Sequence, residues 1–189
     1  MINIINIFDK TIIEFAHNLH VNYKIFDFFF SLVTNLGEGL TLIILSAVLI
    51  VIKKTRLCGI NMAISLFIAV IIGAVILKPL IARERPFTDP IYYEYWIEAG
   101  KHLETSFSCP SSHTTASFAA LFPIFLYFNK KYSFIALLIA LIIGFSRVYL
   151  MVHYPSDVVF GAFIGIAVSS AIYIILNKTN INKLIKKFI

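Results

Sequence analysis

Four apolar runs dominate this chain: Leu40 to Ile52, Leu57 to Leu77, Tyr132 to Phe145 and Val158 to Leu176. A fifth, Thr114 to Phe128, reaches spanning length when its helix begins near Ser111. Such runs satisfy their own backbone as helices and cross a bilayer, where no water is available to pair exposed amides. A mean hydropathy of +0.88 and only 14% charged side chains exclude an ordinary soluble domain. The expected fold is all-α: a polytopic membrane bundle of five transmembrane helices in one domain covering residues 1–189. No separate soluble domain fits, so any chemistry belongs at the helix ends.

Residues 1–36 differ from the rest, because Asp9, Glu14, His17, His20, Lys24 and Asp27 interrupt the apolar residues too often for a span. Their spacing suits amphipathic helices lying in the membrane interface. The start lacks the basic region and small-residue cleavage site of a signal peptide. Residues 37–176 then form the transmembrane core and 177–189 a basic tail. Lys53, Lys54 and Arg56 lie in the first connection, Lys130 and Lys131 in the third, and Lys178, Lys183, Lys186 and Lys187 in the tail. With five spans these segments share one side, which the positive-inside rule makes cytoplasmic. The protein is thus expected in the plasma membrane, with the amino terminus, the 78–112 loop and the turn at His153 to Ser156 outside. Topology accounts for the net charge of +6 without nucleic acid as a partner. Cys58 and Cys109 fall on opposite faces and cannot pair.

The polar residues predicted at the outer face are few and specific. LKPLIARERPF contributes Lys78, Arg83 and Arg85; CPSSHTT contributes Ser111, Ser112 and His113; SRVYLMVHYPSD contributes Arg147, His153 and Asp157. Guanidinium groups bind phosphate bidentately, lysine supplies a point charge, and a helix start offers free N–H groups. Ser111 and Ser112 suit an N-cap, which aims the amides near His113 at an anion. Taken singly, each residue also has a structural reading: interfacial histidines bonded to carbonyls, snorkelling arginines, or a Lys78–Asp157 ion pair. His102, Glu84 and Glu104 read as solvated loop residues. Tyr92, Tyr93, Tyr95 and Trp96 suit the headgroup level, on a short helix flanking the site entrance or as a plain anchor.

Three segments together resemble the signature of the type 2 phosphatidic acid phosphatase superfamily. KPLIARERP matches its first part, PSSH its second with Ser112 at the usual glycine, and SRVYLMVHYPSD its third without a gap. The resemblance implies that His153 attacks phosphorus to form a phosphohistidine, with Asp157 orienting its imidazole. It implies that His113 protonates the leaving oxygen and later activates water. Lys78, Arg85, Ser111 and Arg147 would hold the phosphoryl oxygens, with Ser112 beside them. No metal or cofactor is expected, and the partners are a lipid phosphate substrate and the surrounding membrane lipids. Short members of this family resemble undecaprenyl pyrophosphate phosphatases, which makes that substrate the first expectation. Phosphatidylglycerophosphate or phosphatidic acid is the alternative within the class. A vanadium-dependent haloperoxidase shares the anion site but resembles soluble helical proteins. A lipid-binding or transport protein is the alternative of another class, and it expects polar groups near mid-membrane.

Overall fold

The computed structural model describes residues 2–178, and every regular element among them is helical. Most of the basic tail predicted at 177–189 therefore lies outside the described residues. The chain opens with α1 (Ile2–Asn22) and α2 (Ile25–Thr34), followed by α3 (Gly39–Val51) and α4 (Arg56–Val70). A π-helical stretch, Ile71–Leu77, carries α4 into the short α5 (Lys78–Ile81). The outer loop holds α6 (Pro90–Glu98), and the bundle closes with α7 (Ser112–Tyr127), α8 (Lys130–Tyr149) and α9 (Pro155–Lys178).

Three segments are long and apolar enough to cross a membrane: Arg56–Thr88, Lys130–Tyr149 and Pro155–Lys178. A fourth span is available if α2 and α3, bent by 55° between Gly37 and Gly39, cross together. The expected five is therefore approximate. The difference lies partly in α7, whose 16 residues cover roughly 24 Å at the helical rise, short of the bilayer core. It is the central helix, enclosed by α3, α4, α8 and α9. Because protein rather than lipid surrounds it, it can be short and can bury Thr114, Thr115 and Ser117.

The helices α7 and α9 approach closely at Gly161 and Gly165. A Cβ on Gly161 would lie 2.9 Å from the Ser111 carbonyl oxygen, and one on Gly165 would lie 2.6 Å from that of Thr115. This small-xxx-small spacing lets two backbones meet where lipid gives no hydrophobic drive for association. Farther along, buried Asn61 bonds the Ser169 carbonyl and accepts from Ser65, which satisfies these polar groups inside the bundle.

Chain direction sorts the helix ends into two sets. One end holds Arg56, Tyr127, Lys130 and Lys178, where the Tyr127 and Tyr173 rings meet edge to face. The other end holds Lys78, Ser112, Tyr149 and Pro155, and α1 and α2 pack there as well, against α8 and α9. Asp9, Ile13, Ala16 and His20 form the buried stripe of α1 at helical spacing. Ile13, Ala16, Phe30 and Trp96 join Val148 to Val152 in one apolar cluster. Both cysteines are free and buried, Cys58 in the first turn of α4 and Cys109 in the loop before α7.

Candidate active site

The site forms where the ends of α5, α7, α8 and α9 meet the outer loop. At the end of α8, Met151 takes φ 55°, a left-handed value uncommon for a side-chain-bearing residue. The turn it makes directs the N–H groups of Val152 and His153 back to the Arg147 carbonyl, each at 3.2 Å. The arginine and histidine of this segment are thereby held as a unit. Pro155 then starts α9, which places Asp157 in its first turn.

His153 is 1% exposed. Its Nε2 lies 3.4 Å from Arg85 Nη1, while Nδ1 faces Ser108 Oγ at 3.4 Å and Asp157 Oδ2 at 3.7 Å. The arrangement favours a proton on Nδ1 and a free lone pair on Nε2, toward the arginines. Burial pushes the imidazole pKa from 6.5 down to about 3; Asp157 opposes the shift, and Arg85 and Arg147 add to it. The ring is therefore neutral at physiological pH, as a nitrogen nucleophile must be.

Asp157 is saturated with donors. Oδ2 accepts from Ser108 Oγ at 2.5 Å and from the Tyr154 N–H at 2.9 Å, and Oδ1 accepts from Arg83 Nη1 at 2.6 Å. Its distance of 3.7 Å from His153 Nδ1 is too long for a hydrogen bond.

Two buried guanidinium groups converge beside His153. Arg85 bonds the Ser106 and Val152 carbonyls at 2.7 and 2.8 Å and reaches Glu104 Oε2 at 3.3 Å. Arg147 bonds Thr34 Oγ1 at 2.7 Å and contacts the other oxygen, Glu104 Oε1. One carboxylate thus bridges both arginines, in the manner expected of two oxygens of a bound phosphate. Arg147 Nε is buried without a partner, a donor left over in an otherwise satisfied site. Lys78 donates to Ser106 Oγ at 3.0 Å and the Phe107 carbonyl at 2.7 Å, and does not pair with Asp157. A cavity of about 440 Å³ lined by Lys78, Arg85, Glu104 and Phe107 opens beside this group.

The start of α7 completes the arrangement. Ser111 is the N-cap: its Oγ accepts from the Thr114 N–H at 3.4 Å, and its own N–H donates to the Asp157 carbonyl at 3.2 Å. Burial pushes the His113 imidazole down to about 3, and Arg147, Lys78 and Arg85 add to the shift, so the ring holds a proton only when an anion lies among these cations. Ser112 lines a separate crevice of about 80 Å³ with Gly73, Ala74 and Thr115. Every residue that the sequence singled out is therefore at this end of the bundle, with Ser112 turned to the neighbouring crevice.

Several residues at the site were not foreseen. Glu104, read as a solvated loop residue, has its carboxylate between the two arginines, because a loop of ordinary appearance folds back over them. Ser108 and Thr34 carry no distinguishing signal. Arg83 is tied to Asp157 and to Asp9 of α1; in the sequence Asp9 is only one of the charges that interrupt the apolar residues of 1–36. The aromatic loop forms α6, started by Asp89, whose Oδ1 accepts from the Ile91 N–H at 2.9 Å. Trp96 is buried against Phe87 with its Nε1 bonded to the His102 carbonyl, while Tyr93 stays exposed.

A sequence profile of the PAP2 superfamily matches residues 59–181. An undecaprenyl-diphosphatase of Sulfolobus acidocaldarius is 32% identical over 129 residues, 68% of this chain and 60% of that protein. Phosphatidylglycerophosphatase B of Bacillus subtilis is 34% identical over 102 residues, 48% of this chain and 45% of that protein. These matches span roughly half to three fifths of the relatives' own lengths. Among solved structures, a transmembrane PAP2-type phosphatidylglycerolphosphate phosphatase from Bacillus subtilis superposes with a TM-score of 0.71 at 26% identity, over 93% of this chain and 88% of that one.

Proposed function

Because the chain belongs to the PAP2 superfamily, we propose that it hydrolyses a lipid phosphate or pyrophosphate through a phosphohistidine on His153. The observation that carries this reading is the convergence of Arg85 and Arg147 on one carboxylate, with His153 Nε2 3.4 Å from Arg85. An anion held by two guanidiniums beside a neutral imidazole is set for in-line attack on phosphorus. In the first step Nε2 bonds phosphorus, the lipid oxygen leaves, and His113 gives that oxygen its proton. In the second step His113 takes a proton from water, the water oxygen attacks phosphorus, and the N–P bond breaks. Asp157 stabilises the positive charge on the ring, and Lys78, Arg85, Arg147 and the amides capped by Ser111 hold the phosphoryl oxygens.

Undecaprenyl pyrophosphate is the proposed substrate, supported by the 32% identity to an undecaprenyl-diphosphatase. Phosphatidylglycerophosphate is the second reading, favoured by the structural likeness over 93% of the chain. The site is assigned to the extracytoplasmic face, because Lys53, Lys54, Arg56, Lys130 and Lys131 all lie at the opposite helix ends. The deciding experiment measures phosphate release by the purified protein in detergent. The substrates are undecaprenyl pyrophosphate, undecaprenyl phosphate, phosphatidylglycerophosphate and phosphatidic acid, and His153→Ala is the blank. Release from none of them, or release undiminished in His153→Ala, overturns the proposal; the substrate with the highest kcat/KM decides between the two readings.

A further inference from the structure

The amino-terminal helix reaches the site by a route that the superfamily match, which begins at residue 59, does not cover. Asp9 on α1 is 3% exposed, in a helix whose next turns back toward the start carry exposed Ile4, Ile5 and Ile7. Burying a carboxylate there is costly unless its partners satisfy it. Both oxygens are committed to the first turn of α9 and to Arg83. Oδ1 accepts from the Ser156 N–H at 2.8 Å, and Oδ2 accepts from Ser156 Oγ at 2.7 Å and Arg83 Nη2 at 2.8 Å. The Ser156 amide is one of the N–H groups that a helix start leaves unpaired, so Asp9 caps α9 from another helix.

Arg83 carries the link onward. Its Nη1 bonds Asp157 Oδ1 at 2.6 Å and Ser156 Oγ at 2.7 Å, and its guanidinium carbon lies 3.8 Å from the centre of the Tyr154 ring. Nη1 and Nη2 both face these carboxylates. The chain of contacts runs from Asp9 through Arg83 to Asp157 and ends at the His153 ring.

We propose that Asp9 is a positioning residue for phosphoryl transfer: through Arg83 it fixes the rotamer of Asp157, and so the tautomer and orientation of His153. The inference rests on the proposed role of His153 and Asp157. It also gives α1 a reason to dock on α8 and α9.

The test compares Asp9→Asn, Arg83→Gln and the double variant in detergent, with His153→Ala as the blank. Asp9→Asn keeps the side-chain volume and one acceptor. The expected result is a kcat lowered about tenfold or more, the scale seen when a partner that orients a reacting group is lost, with KM within about threefold because Asp9 touches no substrate. An anchor that only holds α1 in place would lower stability and leave the kcat of the folded protein unchanged, so the cycle is read in kcat: Asp9→Asn should cost almost nothing more in kcat once Arg83→Gln is present. Unchanged kcat in Asp9→Asn, or losses that multiply in the double variant, overturns the proposal. If Asp9→Asn does not fold, Arg83→Lys replaces it, since an ammonium keeps the charge but cannot bridge both carboxylates; a lowered kcat at constant KM supports the proposal and an unchanged kcat overturns it. A wild-type protein without phosphatase activity, or an active His153→Ala, defeats the function itself, whereas an active wild type, inactive His153→Ala and normal Asp9→Asn defeat only the role of Asp9.

Discussion

Replacing Gly165 by alanine adds one methyl group, and the structure says which of two opposing effects prevails. Inside a helix, Gly→Ala gains about 1 kcal/mol from propensity. Against this, the new Cβ would stand 2.6 Å from the Thr115 carbonyl oxygen, 2.7 Å from Phe118 Cβ and 2.8 Å from the Ala119 nitrogen. Two of these neighbours are backbone atoms of α7 and cannot rotate away. Restoring ordinary contact requires α7 and α9 to separate by roughly an ångström, and overpacking of this kind costs about 1–3 kcal/mol, more where the backbone must move. The clash should therefore win, lowering the thermal midpoint in detergent by several degrees, at about 2–4 °C per kcal/mol for a chain of this size. Gly39→Ala is the internal control, because nothing lies within 4 Å of its Cβ position, and it should be neutral or slightly stabilising. Activity should fall in Gly161→Ala as well, since its Cβ would press on the Ser111 carbonyl at 2.9 Å, beside the proposed phosphate site. A Gly165→Ala protein as stable as wild type would show that α7 and α9 do not meet as closely as described.

His113→Ala should trap labelled phosphate on His153 from a nitrophenyl phosphate, whose leaving group needs little protonation, whereas His153→Ala should trap none; label on His153→Ala instead would reverse the two roles. Phosphate release should persist in EDTA and be inhibited competitively by vanadate, because the described residues hold no cluster of three His, Cys, Asp or Glu side chains suited to a metal; loss in EDTA restored by magnesium would refute this. Stability should depend on pH through His153 and His113, whose folded pKa values of about 3 lie below the ordinary 6.5. Burying the neutral rings adds no protonation penalty above about pH 6.5, and stability falls as pH drops from 6.5 toward 3, where the unfolded chain binds the protons and the folded one does not. His153→Asn should remove about half of that slope in thermal melts, and an unchanged slope would mean that its ring is not buried neutral.

What the sequence made legible follows the physics of each feature. Apolar length and the spacing of Lys78, Arg85, His113, Arg147, His153 and Asp157 are local properties, and they made legible the bundle and the end at which these residues gather. The number of spans was less legible, because hydropathy does not tell that α7 is shielded from lipid and can be short, or that α2 and α3 join at a bend. The close α7–α9 contact was readable in principle from Gly161 and Gly165. Glu104, Ser108, Thr34 and Asp9 were not legible as site residues, since each acquires its role from a partner distant in sequence: Thr34 meets Arg147 and Asp9 meets Ser156 only after the chain has folded.

These late-arriving residues explain how so many charges are tolerated at the end of an apolar bundle. Arg83 is balanced by Asp9 and Asp157, and Arg85 and Arg147 by Glu104, so no guanidinium in the group is left without a carboxylate. The two balances differ in kind. Asp9 is buried, spends both oxygens on α9 and Arg83, and belongs to a helix packed on the core. Glu104 sits on a loop with its side chain 26% exposed and bonds only groups that a phosphate would also bond. Under the proposed mechanism, a substrate anion entering between Arg85 and Arg147 would displace Glu104 while the pair at Arg83 stays intact. The same charge arithmetic would then keep the proposed nucleophile fixed and the proposed phosphate site exchangeable, the division of labour that a phosphohistidine mechanism requires.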